Sequence, residues 1–318
     1  MRRMVLGLAV AGLAMTGAAN AGVGHQWGDL HWGQRGTAPT IPIRYAFSDR
    51  SADDWLPVYR TGERNAFAKW NDDPRSPLIL VDRGPAREKD SAICDADAGE
   101  VLVCAHEYGT AEGWTGIAEI FISGSRISSG TAKMNDSFFA YQDAYDRPGR
   151  REFTMCHELG HTFGLAHLDE DFFNPNLGSC MDYTADVFGL PDNRDPGHVD
   201  WAVLTSSLMY GAPTVTSDRP SASDRFRVPD PSRERGTLVA SGRYGASRAV
   251  PSERELQRSR FGGVLGYDAH GRPNSFVRDL RGGQKITFVM WADGYRPEGT
   301  RRDKALPATV REISDPAR

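Results

Sequence analysis

The 318-residue sequence predicts a mixed α+β fold, and three observations predict it. Short runs of alternating or continuous apolar residues recur early in the chain. Between them, apolar residues repeat at helical intervals. The order is strand, helix, strand and then more strands, with helices left to pack beside a sheet.

Residues 41–47 (IPIRYAF) put Ile41, Ile43, Tyr45 and Phe47 on one face of an extended segment that follows Pro39. Trp55, Leu56, Val58, Tyr59, Ala66, Phe67 and Trp70 then recur at largely helical spacing, weakest around Gly62, until Asp72-Asp73-Pro74 stops the pattern. Residues 78–81 and 117–122 are strand-like, and the Cys94–Cys104 loop lies between them. A further short strand is expected over 131–134, followed by an irregular stretch and a helix opened by Arg150.

After Tyr210 the composition turns to Pro, Ser, Arg and Gly, which predicts a solvated linker over 212–260 that is open to proteolysis. Residues 237–240, 263–267, 275–277 and 285–291 are expected strands of a small appended β unit. The expected organisation is therefore a main domain at 41–211, a linker at 212–260 and a small β-rich region with a basic tail at 261–318. Residues 22–40 are a short N-terminal segment.

Residues 1–21 combine Arg2 and Arg3, an apolar stretch and an Ala19-Asn20-Ala21 ending, the pattern of a cleaved signal peptide. The expected location is secreted or periplasmic. Four cysteines, an even number, suit an oxidising compartment. No later stretch is long or apolar enough to span a membrane. Residues 22–211 carry 16 Lys+Arg against 29 Asp+Glu, a net of −13, whereas residues 212–318 carry 20 against 13, a net of +7. Nothing resembles a nucleic-acid-binding fold; a basic tail of this kind could dock on the acidic part of the chain or on an anionic surface, but solubility is explanation enough for most such tails.

The chemistry is concentrated in His157-Glu158-Leu159-Gly160-His161-Thr162-Phe163-Gly164-Leu165-Ala166-His167. On a helix, His157 and His161 share one face a turn apart, so two imidazoles can reach one metal. Gly164 can turn left-handed, end the helix and return His167 to the same ion. Three nitrogens and an open fourth position describe a catalytic zinc site, with Glu158 beside it as general base for attack of the zinc-bound water on a peptide bond. Imidazole also suits copper, nickel or iron, so the expectation of Zn2+ comes partly from the adjacent Glu. A thiolate site is weaker, because no cysteine pair has ligand spacing.

This pattern, H-E-x-x-H-x-x-G-x-x-H with the downstream Ser179-Cys180-Met181-Asp182-Tyr183, resembles the metzincin zinc endopeptidases over residues 41–211. The resemblance implies a twisted mixed sheet, a first helix, an active-site helix and a Met-turn in which Met181 floors the site without binding zinc. It also implies a metal-facing or transition-state role for Tyr183, which stands where the astacin and serralysin branches carry a Tyr. Ala66-Phe67-Ala68-Lys69-Trp70 and Leu78-Ile79-Leu80 are similar to the first helix and second strand of matrixin-type domains. Leu168 fits no branch marker, and no cysteine precedes the first strand to support thiolate latency. His25, Asp29 and His31 could at most cap the zinc transiently; they are expected at the surface.

Cys156 precedes His157 and Cys180 precedes Met181, so pairing them ties the ligand helix to the Met-turn and leaves Cys94 with Cys104; of three possible pairings this one closes short loops. Two acidic clusters, Asp169-Glu170-Asp171 and residues 182–200, are candidates for Ca2+, but their spacing fits no loop motif and solvated loops are expected. The expected partner is a protein or peptide substrate lying extended along an edge strand at 129–135. The rival reading is a non-catalytic, zinc-dependent protein-binding module, against which an intact Glu158 argues.

Overall fold

The computed structural model describes residues 25–87, 90–111, 113–140, 145–212 and 261–292. Residues 1–21, expected to be a signal peptide, most of the expected linker and the strand expected at 237–240 lie outside the described residues.

Strand β1 (Thr40–Phe47) opens the sheet. The helical pattern that follows becomes two helices rather than one. Helix α1 (Ala52–Leu56) continues as a wider turn through Pro57–Thr61. At Gly62 the backbone is extended (φ −79°, ψ 163°) and its N–H donates to the Pro57 carbonyl; a Cβ there would sit 2.7 Å from that oxygen. The chain restarts at Asn65, whose side chain accepts from the Ala68 N–H and caps helix α2 (Ala66–Asn71).

Next come β2 (Ile79–Pro85), the short helix α3 (Asp90–Ile93), β3 (Val101–His106), β4 (Trp114–Ser123) and β5 (Arg126–Asn135). Helices α4 (Asp136–Phe139), α5 (Pro148–Thr162) and α6 (His198–Leu204) precede the C-terminal strands β6 (Gly263–Tyr267), β7 (Pro273–Leu280) and β8 (Gly283–Trp291). Strand β3 and helix α6 were not expected. The β3 segment VLVCAH carries the apolar run of a buried strand, hidden in a stretch that reads as a disulfide loop.

All eight strands form one mixed sheet in the order β2-β1-β3-β5-β4-β8-β7-β6. β2, β1, β3 and β5 run parallel to one another, whereas β4 pairs antiparallel with β5 and with β8, and β8, β7 and β6 continue antiparallel. Two expectations are corrected here. Residues 129–135 are not an edge, because β5 lies between β3 and β4. The C-terminal strands do not stand apart as an appended unit either; β8 pairs with β4, and Ile286, Phe288 and Met290 enter the main hydrophobic core. Their alternation with Val289 and Trp291, which join a second cluster on the other face, is the period-two pattern of a strand buried on both sides.

Helices α2 and α5 pack on one face of the sheet. The Trp70 indole of α2 donates to the Cys156 carbonyl of α5 and meets Phe163 and Trp201 edge-on. Both disulfides, Cys94–Cys104 and Cys156–Cys180, are formed. No helix among the described residues is long and apolar enough to cross a membrane.

Candidate metal centre

Helix α5 carries His157, Glu158 and His161, all fully buried. It ends as its sequence requires: Gly164 takes a left-handed φ of +95°, where a Cβ would lie 2.6 Å from the Leu30 carbonyl, and the turn delivers His167 to the same place. The His161 Nε2 lies 3.0 Å from the Nε2 of His157 and 3.0 Å from that of His167. Among the described residues, this is the one group of three or more His, Cys, Asp or Glu whose ligand atoms converge within 4.8 Å.

The other ring nitrogens explain why these three atoms face one another. His157 Nδ1 meets the Cys180 carbonyl at 2.7 Å, His161 Nδ1 the Leu165 carbonyl at 2.8 Å, and His167 Nδ1 the Glu170 carboxylate at 2.8 Å. Such partners engage each Nδ1 as a donor and turn each Nε2 inward, where in a neutral ring it is a free lone pair. Burial holds His157 and His161 well below their ordinary value of 6.5, and the neighbouring rings lower them further, so both are neutral. Three lone pairs at this spacing repel unless a cation lies among them, so the donor set fits a metal ion.

Glu158 is fully buried and neither carboxyl oxygen has a hydrogen-bond partner; burial pushes it well above the ordinary carboxylate value. It fits because β4 has Gly116 opposite, where any Cβ would collide with the carboxyl group. Gly160 plays the same part below, since a Cβ there would collide with the Met181 sulfur. Tyr183 is also fully buried, with its ring 4.4 Å from that of His167 and its hydroxyl donating to the Val289 carbonyl at 3.3 Å. Burial pushes this phenol well above 10.

No family model, curated protein sequence or solved structure matches this chain. The site is therefore read from its own geometry.

The structure brings all five expected residues, His157, Glu158, His161, His167 and Tyr183, into one cluster. It does not bring His25, Asp29 or His31 there. His25 pairs with Asp200 at 2.6 Å, and His31, expected at the surface, is buried with its Nδ1 on the Asp29 carbonyl. The acidic residues considered for calcium organise the loop instead. Asp169 accepts from the Asp171 N–H and Asn174, Asp182 from the Leu177 N–H and Asn193, and burial raises Asp182 to about 6.

Three contributors were missed. Burial is the largest influence on Glu170 and opposes its ionisation, but its hydrogen bond to His167, the electrostatic pull of that ring and the Asn274 hydrogen bond together outweigh it and hold the carboxyl group below its ordinary value. Asn274 of β7 donates to the same carboxylate at 2.9 Å. Phe288 of β8 lies flat on the His161 ring, with centroids 4.3 Å apart and planes within 6°. The position of Glu170, three residues beyond His167, was a usable signal for an imidazole partner; nothing local marked Asn274 or Phe288.

Proposed function

We propose that this chain is a zinc-dependent endopeptidase of the metzincin kind, with His157, His161 and His167 as ligands and Glu158 as general base. The observation that carries the reading is the convergence of three imidazole nitrogens beside a buried carboxyl group that makes no hydrogen bond of its own. When bound, the zinc ion supplies a Lewis acid and a water of lowered pKa.

The chain's own residues do the rest. Glu158 takes the proton of the attacking water and returns it to the leaving amine, and a raised proton affinity suits a base that must work near neutrality. The Tyr183 hydroxyl donates to a peptide carbonyl brought against it. The hydrogen bonds from the three Nδ1 atoms hold each ring in its ligating tautomer. Met181, packed under Gly160, and the Cys156–Cys180 bridge support the metzincin comparison, because they join the ligand helix to the turn beneath it. The two disulfides are compatible with export to an oxidising compartment.

The test couples metal content to cleavage. The parent should hold about one zinc per chain and lose peptide cleavage to chelators. Glu158→Ala should keep its zinc while cleavage falls by roughly 10²–10⁴-fold, and His161→Ala should lose the zinc itself. A zinc-loaded Glu158→Ala chain that cleaves a peptide library at the parent's rate would exclude Glu158 as the base.

A further inference from the structure

We infer that β8 is a built-in, substrate-like strand seated in the peptide groove of this site, so that the folded chain rests closed and works only when β8 is displaced. The inference rests on the peptidase reading and deepens it.

Strands β2, β1, β3, β5 and β4 all come from residues 40–135 and form five consecutive positions of the sheet, ending at β4. Without β8, the outer side of β4 would be an edge of the kind to which extended peptides add by main-chain hydrogen bonds. In this chain β8 takes that place. It runs antiparallel to β4, from Trp114 opposite Trp291 to Ile122 opposite Gln284.

The side chains of β8 reach the helix face that carries the chemistry. Thr154, Glu158 and His161 stand at i, i+4 and i+7 of α5 and so share one face. The Met290 sulfur meets the Thr154 hydroxyl at 4.0 Å, and Phe288 lies on the His161 ring, so β8 anchors on both sides of Glu158. Between these two anchors, the Val289 carbonyl accepts from Tyr183, the hydroxyl assigned to a substrate carbonyl. Glu158, His161 and Tyr183 are 0% exposed in this arrangement, and a peptide cannot reach a base with no accessible surface.

The strand is held from its other face as well. Lys285 donates to Glu119 of β4 at 2.6 Å, and Thr287 donates to the same oxygen at 3.3 Å. In the next strand, Asn274 holds Glu170. The side chains that β8 sends toward α5 also describe what the groove accepts: Ile286, Phe288 and Met290 alternate, with an aromatic ring over His161. The substrate class is therefore an extended segment with large apolar residues at every second position.

The test uses the full zinc-loaded chain, as parent and as Lys285→Glu, which sets a second carboxylate against Glu119 without touching the histidines. Lys285→Ala, a milder change, is run beside it, and urea below the unfolding midpoint supplies the same opening by solvent. Three quantities are read: amide hydrogen exchange over 114–123 and 283–291, binding of a labelled synthetic peptide of sequence GQKITFVMW, and cleavage of a peptide library.

The parent should protect both strands, refuse the peptide and cleave slowly. Opened chains should exchange at both strands together, bind the peptide and cleave at least about tenfold faster, as a shift of population toward the open form requires. Glu158→Ala in the Lys285→Glu background should abolish that gain. A parent that cleaves as fast as the opened chains while β8 stays protected would overturn the inference. So would opened, zinc-loaded chains that neither bind the peptide nor gain activity. Opened chains that bind the peptide but cleave nothing would keep β8 as the groove's occupant and remove the peptidase reading instead.

Discussion

Gly116 and Glu158 are a matched pair: one strand residue lacks a Cβ, and one helix residue fills the space with a carboxyl group. Gly116→Ala should therefore destabilise the chain by about 1–3 kcal/mol, the usual penalty for a methyl group forced into a packed site. In a Glu158→Ala background the same change should cost markedly less, because the atoms it strikes are gone. Denaturant unfolding of the four chains of this cycle checks the pair; additive effects would mean that the two residues do not share the space. The motif H-E-x-x-H-x-x-G-x-x-H makes the histidines and Glu158 legible in the sequence, because helical spacing and a left-handed glycine are local properties. Gly116 is not legible, since its partner stands 42 positions away and on a different element.

At the scale of elements, the join between helix α5 and the turn below it depends on one bridge. Cys156–Cys180 closes a separation of 24 residues, and the chain-entropy model gives about 3 kcal/mol for a loop of that length. Replacing both cysteines by alanine should lower unfolding stability by about that amount and weaken metal retention, since His157 holds its tautomer on the Cys180 carbonyl. Chemical denaturation with a parallel zinc titration reads both effects. Helix α2 offers a second, smaller test. Asn65→Ala removes the acceptor of the Ala68 N–H and should cost about 1 kcal/mol, visible as a lower denaturation midpoint. The periodicity of residues 55–70 predicted one helix where the structure has two. Apolar spacing survives an interruption, and the break at Gly62 is dictated by its hydrogen bond to Pro57 and by Asn65 restarting the helix.

Across the whole molecule, Glu119 of β4 links the strands on either side. It takes Lys133 of β5 at 2.8 Å and Lys285 of β8 at 2.6 Å. Burial opposes its ionisation, but the two lysines outweigh burial and lower it from 4.5 to about 2. A carboxyl group lowered on folding contributes stability that is fully present above pH 4.5 and lost as the pH falls through about 2. The shift corresponds to an order of 3 kcal/mol. Glu119→Gln should be less stable than the parent at pH 7 and converge with it toward pH 2. Urea midpoints across that range measure the difference, and a constant gap would show that Glu119 acts by packing instead of charge.

The sequence by itself determined the convergence of His157, His161 and His167, the Glu158 beside them, the two disulfides and most strands, because each depends on spacing within a short stretch or on adjacency along the chain. The β8 segment was legible as a strand from its alternation. Its destination was not, because pairing with β4 spans more than 160 residues and strand periodicity specifies faces without specifying neighbours. Only the tertiary structure decided that β4 is covered, that β5 is interior, that Phe288 lies on His161 and that Asn274 steadies the Glu170–His167 pair. The physical reason is the same in each case: these are long-range contacts selected by burial and hydrogen-bond satisfaction after local structure has formed, and no local pattern encodes them.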